Sequence, residues 1–291
     1  MKIVFLFFLS LSAYSKVNFT WLGTTGVYLT DSQTSILFDP VVSRFSLLDM
    51  MFDREVKTDD SLVKTWLKKI HAKNVKGIFI SHTHFDHAFD AASFTKQTGA
   101  TLYGTSSAIN IGLGGGVSPG QLKKVGPGEI IHIGRFKIHV IESVHSPLFF
   151  KYQIMTGEIE KPLSQPTAAR NYKMGGALCF YIEHPDGNIF FLPMSRRDPK
   201  KDHILGKKAK VVFQGIASRE STFKMLGDLT MKPEPKIVIP LHFDDFFEPL
   251  SNGLKKLGPV HIEEFQSTMN KLYPDVQVLV PEYGKFKTIL P

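Results

Sequence analysis

The 291 residues suffice for one large domain or two small ones, and 43% apolar with 21% charged residues excludes a disordered chain. A formal charge of +8 favours anionic partners, yet no basic block of five or more residues occurs, so the lysines read as scattered surface charge and no specific nucleic-acid binding is expected. The single cysteine, Cys179, lies in an apolar run and excludes an intramolecular disulfide.

Lys2 precedes the apolar stretch Ile3 to Ala13, which is too short to span a bilayer as a helix. Ala13-Tyr14-Ser15 then places small residues at −3 and −1 of a cut before Lys16. This pattern predicts a signal peptide over 1–15, a mature domain over 16–291 with no transmembrane segment, and a periplasmic or secreted location. A first strand over Phe5 to Leu9 is the competing reading. Val17 to Leu22 alternates as a half-buried strand, and short turns lead into Val27 to Leu29 and Ile36 to Phe38, which ends at Asp39-Pro40. Val41 to Asp60 has no clean period, and its apolar residues predict a loop near a site mouth, packed on the body. Leu62, Val63, Trp66, Leu67 and Ile70 fall at helical spacing, with Asp59 or Asp60 placed to cap.

The apolar run Gly77 to Ile80 then delivers Ser81-His82-Thr83-His84-Phe85-Asp86-His87. Imidazole nitrogen and carboxylate oxygen suit zinc and similar divalent ions. Spacing of i, i+2 in an extended segment points His82 and His84 the same way, towards one ion. Asp86 and His87, at the turn that follows, reach a second. The stretch reads as a metal site.

Thr101 to Gly104 reads as a strand and Ser106 to Leu113 as a helix stopped by Gly114-Gly115-Gly116, with no phosphate-binding pattern around the glycines. Leu122 to Val125, Glu129 to Ile133 and Phe136 to Glu142 read as strands, the last delivering His145. Phe149 to Gly176 is long and irregular, the signature of a functional loop, and Arg170, Tyr172 and Lys173 are placed over the substrate. Leu178 to His184 and Asn188 to Leu192 form a hairpin around Pro185-Asp186-Gly187. Val211 to Gly215 is a strand, Phe223 to Met231 a helix, and Lys236 to His242 a strand whose exit again presents a histidine. Helix Glu263 to Leu272 and strand Val276 to Val280 close the chain. His71, His132, His139, His184, His203 and His261 lack placement at a strand exit.

The His-x-His-x-Asp-His motif after an apolar strand resembles the metallo-β-lactamase-fold hydrolases. The resemblance implies an α/β (α+β) fold, an αββα sandwich. It puts His82, His84 and His145 on a first metal and Asp86, His87 and His242 on a second, the last from Pro-x-His-Phe-Asp-Asp-Phe. It makes Asp86 a catalytic carboxylate as well as a ligand. Asp39 is expected to brace the metal loop without binding an ion, and Asp244 or Asp245 to support the last ligand or to cap the segment that follows. The cofactor implied is Zn2+, one or two ions, with another divalent metal such as Mn2+ as an option.

One departure stands out. Family members usually end the second hairpin strand in Gly-Asp, whose carboxylate bridges the metals, and this chain has Leu192-Pro193-Met194-Ser195. Ser195 aligns with the bridging position, Met194 is the other option, and Asp198 is a more remote substitute. Without that carboxylate the second ion is expected to be held more loosely. The Pro-x-His-Phe ending resembles the ascorbate-phosphate-lactonase and phospholipase-D-like branch. The expectation is an exported hydrolase that uses metal-bound hydroxide on an ester, lactone or phosphodiester bond of a small-molecule or lipid-like anionic substrate. The alternative is a non-catalytic or weakly active metal-binding protein on the same fold, having lost the bridging carboxylate.

Overall fold

A computed structural model describes residues 16–147, 153–196 and 206–291. The signal-peptide segment 1–15, Asp198 and His203 lie outside the described residues. The chain begins β1 (Val17–Gly23), β2 (Gly26–Thr30), β3 (Ser35–Phe38), α1 (Leu47–Met51), β4 (Glu55–Val56), α2 (Asp60–Lys69), β5 (Val75–Phe79), α3 (Phe85–Ala88) and α4 (Ala91–Thr98). Then come β6 (Thr101–Gly104), α5 (Ser106–Gly114), β7 (Leu122–Lys124), β8 (Ile130–Ile133), β9 (Phe136–Glu142), β10 (Thr167–Ala168), β11 (Leu178–Glu183) and β12 (Ile189–Leu192). The chain ends with β13 (Val211–Gly215), α6 (Thr222–Met225), β14 (Ile237–Leu241), α7 (Ile262–Leu272), β15 (Gln277–Val278) and β16 (Phe286–Leu290).

Two seven-stranded sheets run in the orders β16-β1-β2-β3-β5-β6-β7 and β15-β14-β13-β12-β11-β9-β8. Alternation along the first sheet sorts its side chains between two cores. Phe19, Trp21, Ile36, Phe38 and Phe79 join the core shared with the second sheet. Leu22, Tyr28, Leu37, Ile78 and Leu102 pack with Trp66 of α2, Phe94 of α4 and Ile111 of α5. The second sheet is covered by Met225 of α6, by Leu226 in the wider turn after it, and by Phe265 and Met269 of α7. This is the αββα sandwich. Phe38 ties the sheets together, stacking on Phe191 at 4.6 Å and Phe79 at 5.4 Å and meeting Phe180 at 5.4 Å. Each such pair adds about 0.5–1.5 kcal/mol beyond its buried area.

Two expectations are corrected. β1 is buried along its whole length and not half-buried, because β16, unforeseen in the tail, pairs with it from Val17↔Leu290 to Thr20↔Phe286. The polar side chain of Asn18 on β1 accepts from Thr288 Oγ1 at 2.6 Å. Val41 to Asp60 is not wholly packed on the body. It contains α1, whose capping box joins Ser46 and Asp49. Phe45 and Met50 pack inwards, whereas Leu47, Leu48, Met51 and Phe52 are 46, 55, 64 and 66% exposed. No helix among the described residues is long and apolar enough to cross a membrane.

Candidate metal centre

The exits of β5, β9 and β14 converge on one edge of the sandwich. Past β5 the chain leads through His82 to His84, which is the N-cap residue of α3 with extended φ and ψ, and α3 then carries Asp86 and His87. His145 lies three residues past β9, and His242 directly follows β14 with φ +60. The rings of His82, His84 and His145 form a near-equilateral triangle, with centroids 4.8, 4.8 and 4.7 Å apart. In the second group Asp86 Oδ2 lies 3.5 Å from His87 Nε2 and 3.1 Å from His242 Nε2. Within each trio the potential ligand atoms lie within 4.8 Å of one another. The His82 and His87 rings, 3.9 Å apart, join the two groups.

Hydrogen bonds orient these rings. Asp39 Oδ2 accepts from Thr25 Oγ1 at 2.8 Å and Ser81 Oγ at 2.6 Å, and lies 2.9 Å from His87 Nδ1. A carboxylate only accepts, so Nδ1 of His87 carries the proton and its Nε2 lone pair is free. Ser81 gives its proton to Asp39, so its oxygen, 3.2 Å from His82 Nδ1, accepts from that ring and leaves His82 Nε2 free as well. One carboxylate thus sets a tautomer in each group. His145 Nδ1 donates to the Ser146 carbonyl at 2.6 Å, freeing its Nε2. His82 Nε2, His84 Nε2 and His242 Nδ1 are buried with no hydrogen-bond partner. Such atoms are costly to bury unless something engages them. Borderline cations take this donor set, so the residues fit a divalent ion.

Charge divides the groups. Burial pushes His82 well below the ordinary imidazole range, and the neighbouring histidines push the same way. Burial lowers His84 against the pull of Asp86, and burial with His84 pushes His145 down to about 4. Burial opposes the ionised form of Asp86, but His87 and His242 outweigh it and hold the carboxyl well below the usual range. Burial also opposes a charged His87, yet Asp86 and Asp39 prevail and the imidazole is raised.

The left-handed backbone at His242 is held from outside. Its N–H donates to the Thr24 carbonyl at 2.8 Å, and the Thr24 N–H donates to Asp244 Oδ1 at 2.8 Å. Asp244 also accepts from Arg44 at 2.9 Å and Tyr283 at 2.7 Å. Gly23, at φ +98, makes room, since a Cβ there meets the Arg44 guanidinium at 2.1 Å. Asp244 is thus the supporting residue of the Asp244–Asp245 pair.

The two trios line a cavity of about 1450 Å³. Ser195 and Met194 both line it, but Ser195 Oγ is engaged by Ser146 Oγ at 2.6 Å and the Ala217 carbonyl at 3.1 Å. Arg170, Tyr172 and Lys173 do not lie over the site. Tyr172 is fully buried in the outer core, where Gln165 donates to its hydroxyl at 2.7 Å. Arg170 is held by Asp53, and Lys173 gives its carbonyl to Thr83. The buried ring of Tyr172 and the Asp53 partner of Arg170 settle those two positions, and Lys173 is exposed and does not line the cavity. Ile154 and Met155 of the same loop line the cavity instead. An anion-binding wall is not met among the described residues, because Arg196 pairs with Glu220 and Arg219 with Glu264. His261, set aside for want of a strand exit, lines the cavity from the N-cap of α7. The supporting roles of the Thr25 and Ser81 hydroxyls carry no signal in the sequence, although Ser81 adjoins the motif.

A sequence profile of the Metallo-beta-lactamase superfamily matches residues 20–166. The chain belongs to the metallo-β-lactamase superfamily. A "UPF0173 metal-dependent hydrolase" of Myxococcus xanthus is 24% identical over 224 residues, covering 71% of this chain and 66% of that protein. A protein of the same description from Methanopyrus kandleri is 21% identical over 92% of this chain and 98% of its own length. Among solved structures, Igni18, a metallo hydrolase of Ignicoccus hospitalis, superposes with TM-score 0.59 at 16% identity, covering 94% of this chain and 98% of its own. The isothiocyanate hydrolase from Delia radicum gut bacteria superposes with TM-score 0.60 at 13% identity, covering 94% of this chain and 100% of its own. These structures share the fold.

Proposed function

We propose that the chain is a metal-dependent hydrolase acting on an ester, lactone or phosphodiester bond, with Zn2+ as the metal. The observation that carries this reading is the pair of ligand trios, joined at 3.9 Å, on the floor of one cavity. A divalent ion, when bound, supplies Lewis acidity that acidifies water towards neutrality and stabilises developing negative charge. The residues prepare for it. Ser81 and Asp39 present His82 Nε2, the Ser146 carbonyl presents His145 Nε2, and Asp86 places a carboxylate between His87 and His242. Three imidazoles with an open fourth position suit catalytic zinc. The relatives' description as metal-dependent hydrolases supports the same reading. An anionic substrate rests on the charge of +8 and on the ions themselves. Export rests on the pattern from Lys2 to Ser15, which mass spectrometry of the mature N-terminus tests.

The test is metal analysis with turnover of p-nitrophenyl esters, lactones and bis-p-nitrophenyl phosphate by zinc- and manganese-loaded protein. Turnover that disappears on chelation and in His82→Ala supports the reading. A second reading, a non-catalytic metal-binding protein, is favoured by Ser195, whose hydroxyl is already engaged where the family carries its bridging carboxylate. Bound metal with no turnover across the panel selects it. Ser195→Asp, or Met194→Asp if the alignment is shifted, is expected to strengthen retention of the second ion.

A further inference from the structure

The trios occupy only the floor of the cavity, and the wall above them is of different chemistry. The His242 ring meets Phe246 edge-on at 5.5 Å, and Phe246 packs on Phe247 at 4.6 Å. Leu47, Leu48 and Met50 of α1 line the same cavity. An apolar surface therefore starts against a candidate metal ligand and continues to a helix whose Leu47 and Leu48 are 46 and 55% exposed. Exposed apolar clusters joined to a cavity are a mark of ligand surfaces. Most charged groups on the wall are engaged: Arg196 and Arg219 are paired with Glu220 and Glu264, Glu248 with Lys255, and Asp245 accepts from the Phe247 N–H at 3.0 Å. The cavity, at about 1450 Å³, exceeds the roughly 300–1,000 Å³ of ordinary small-molecule pockets.

We propose that Leu47, Leu48 and Met50 of α1, with Phe246 and Phe247, form the subsite for an apolar chain on the substrate. The substrate is then amphipathic, with its polar scissile group at the trios and its tail against α1, and α1 sets the preference for chain length. The placement of the head rests on the hydrolase reading above. The tail subsite rests on the wall alone. Leu47 and Leu48 lose water-exposed area when a chain lies against them, and this is the source of the selectivity.

Calorimetric titration of the full chain, metal-loaded and metal-free, with butanoate, hexanoate and octanoate tests the subsite separately from turnover. Affinity is expected to rise about fourfold per methylene that is fully buried. The same slope is expected without metal, from a weaker starting point. Leu47→Ser/Leu48→Ser, which replaces exposed side chains and keeps the Ser46–Asp49 capping box, is expected to weaken octanoate about tenfold and to leave butanoate within about twofold. An affinity flat with chain length, or a variant that weakens butanoate and octanoate equally, overturns the proposal. A sloped series in protein that turns over no ester, lactone or phosphodiester keeps the subsite and removes the hydrolase reading. Turnover with a flat series does the reverse.

Discussion

The His82–His84–His145 trio holds three imidazoles that burial keeps neutral, whereas the Asp86–His87–His242 trio is built on a carboxylate beside an imidazole drawn towards protonation. A cation entering the first displaces no proton. In the second, Asp86 and His87 already compensate one another, and a cation must break that arrangement to take both ligands. The supports differ too. His82 is oriented by Asp39 through Ser81 and His145 by its neighbour's carbonyl, while His87 and His242 are held by the larger set of Thr25, Asp39, Thr24 and Asp244. The better-braced trio is thus the one that gives up more to bind. Unequal ion retention, with the first trio holding through dialysis, follows from this difference and from the engaged hydroxyl of Ser195.

The largest test of this contrast is Asp244→Ala. It strands Arg44, whose side chain is 2% exposed, and frees the Thr24 turn that holds His242. Denaturant unfolding of the variant is expected to show a loss of about 3–5 kcal/mol, with loss of ion from the second trio and retention at the first. A variant that unfolds like the parent and keeps both ions would show that Asp244 supports neither.

Asp39→Asn comes next, and its effect falls on both trios because Asp39 receives His87 directly and reaches His82 through Ser81. An amide no longer demands a proton from each partner. Affinity is expected to fall about 10–100-fold at each trio, measured by competition with a chelator. A fall at one trio only breaks the proposed link.

Acidification separates the trios without mutation. An ion needs neutral imidazole, so affinity at the second trio is lost as pH falls through the raised pKa of His87. The first trio has lowered imidazoles, so its affinity is lost only at lower pH, as pH falls through the lowered values of His84 and His145. Below the His87 value the second trio is expected to weaken about tenfold per pH unit. Metal analysis after gel filtration at stepwise lower pH checks the order, and simultaneous release contradicts it.

The six trio residues were legible because they follow apolar runs, where a β-sandwich collects its strand exits; spacing divided His82 and His84 from Asp86 and His87, and the resemblance added His145 to the first pair and His242 to the second. Asp39 was legible from its Asp-Pro pair, although its role depends on Thr25 and Ser81, whose hydroxyls look ordinary in sequence. Arg170, Tyr172 and Lys173 were misplaced because charge and aromaticity in an irregular loop do not say which side chains find partners. Tyr172 found the outer core, and Arg170 found Asp53, 117 residues away. β16 was missed although Phe286, Thr288 and Ile289 are strand formers, because the run is short and its partner lies at the other end of the described chain. Its pairing with β1 is a contact across nearly the whole chain. The apolar wall was half legible: α1 lies in a stretch read as a loop near the mouth, but the exposure of Leu47 and Leu48 belongs to the folded molecule.

The smallest change that should still tell the trios apart is Thr25→Val. Thr25 Oγ1 donates to Asp39 at 2.8 Å and sits 2.8 Å from His87 Nδ1, fully buried between them. Valine keeps the branched shape and removes only the hydroxyl. His87 Nδ1 retains Asp39 as a partner at 2.9 Å, so its tautomer stands and its Nε2 remains free. The loss is therefore limited to about one hydrogen bond, 0.5–1.5 kcal/mol, or roughly two- to tenfold in affinity at the second trio. Thr25 forms no bond to Ser81 or His82, so the first trio should keep its affinity. Chelator competition on the two-ion protein measures both steps in one titration. Equal weakening of both steps would mean that Thr25 acts by displacing Asp39, and that the two trios respond as a single unit.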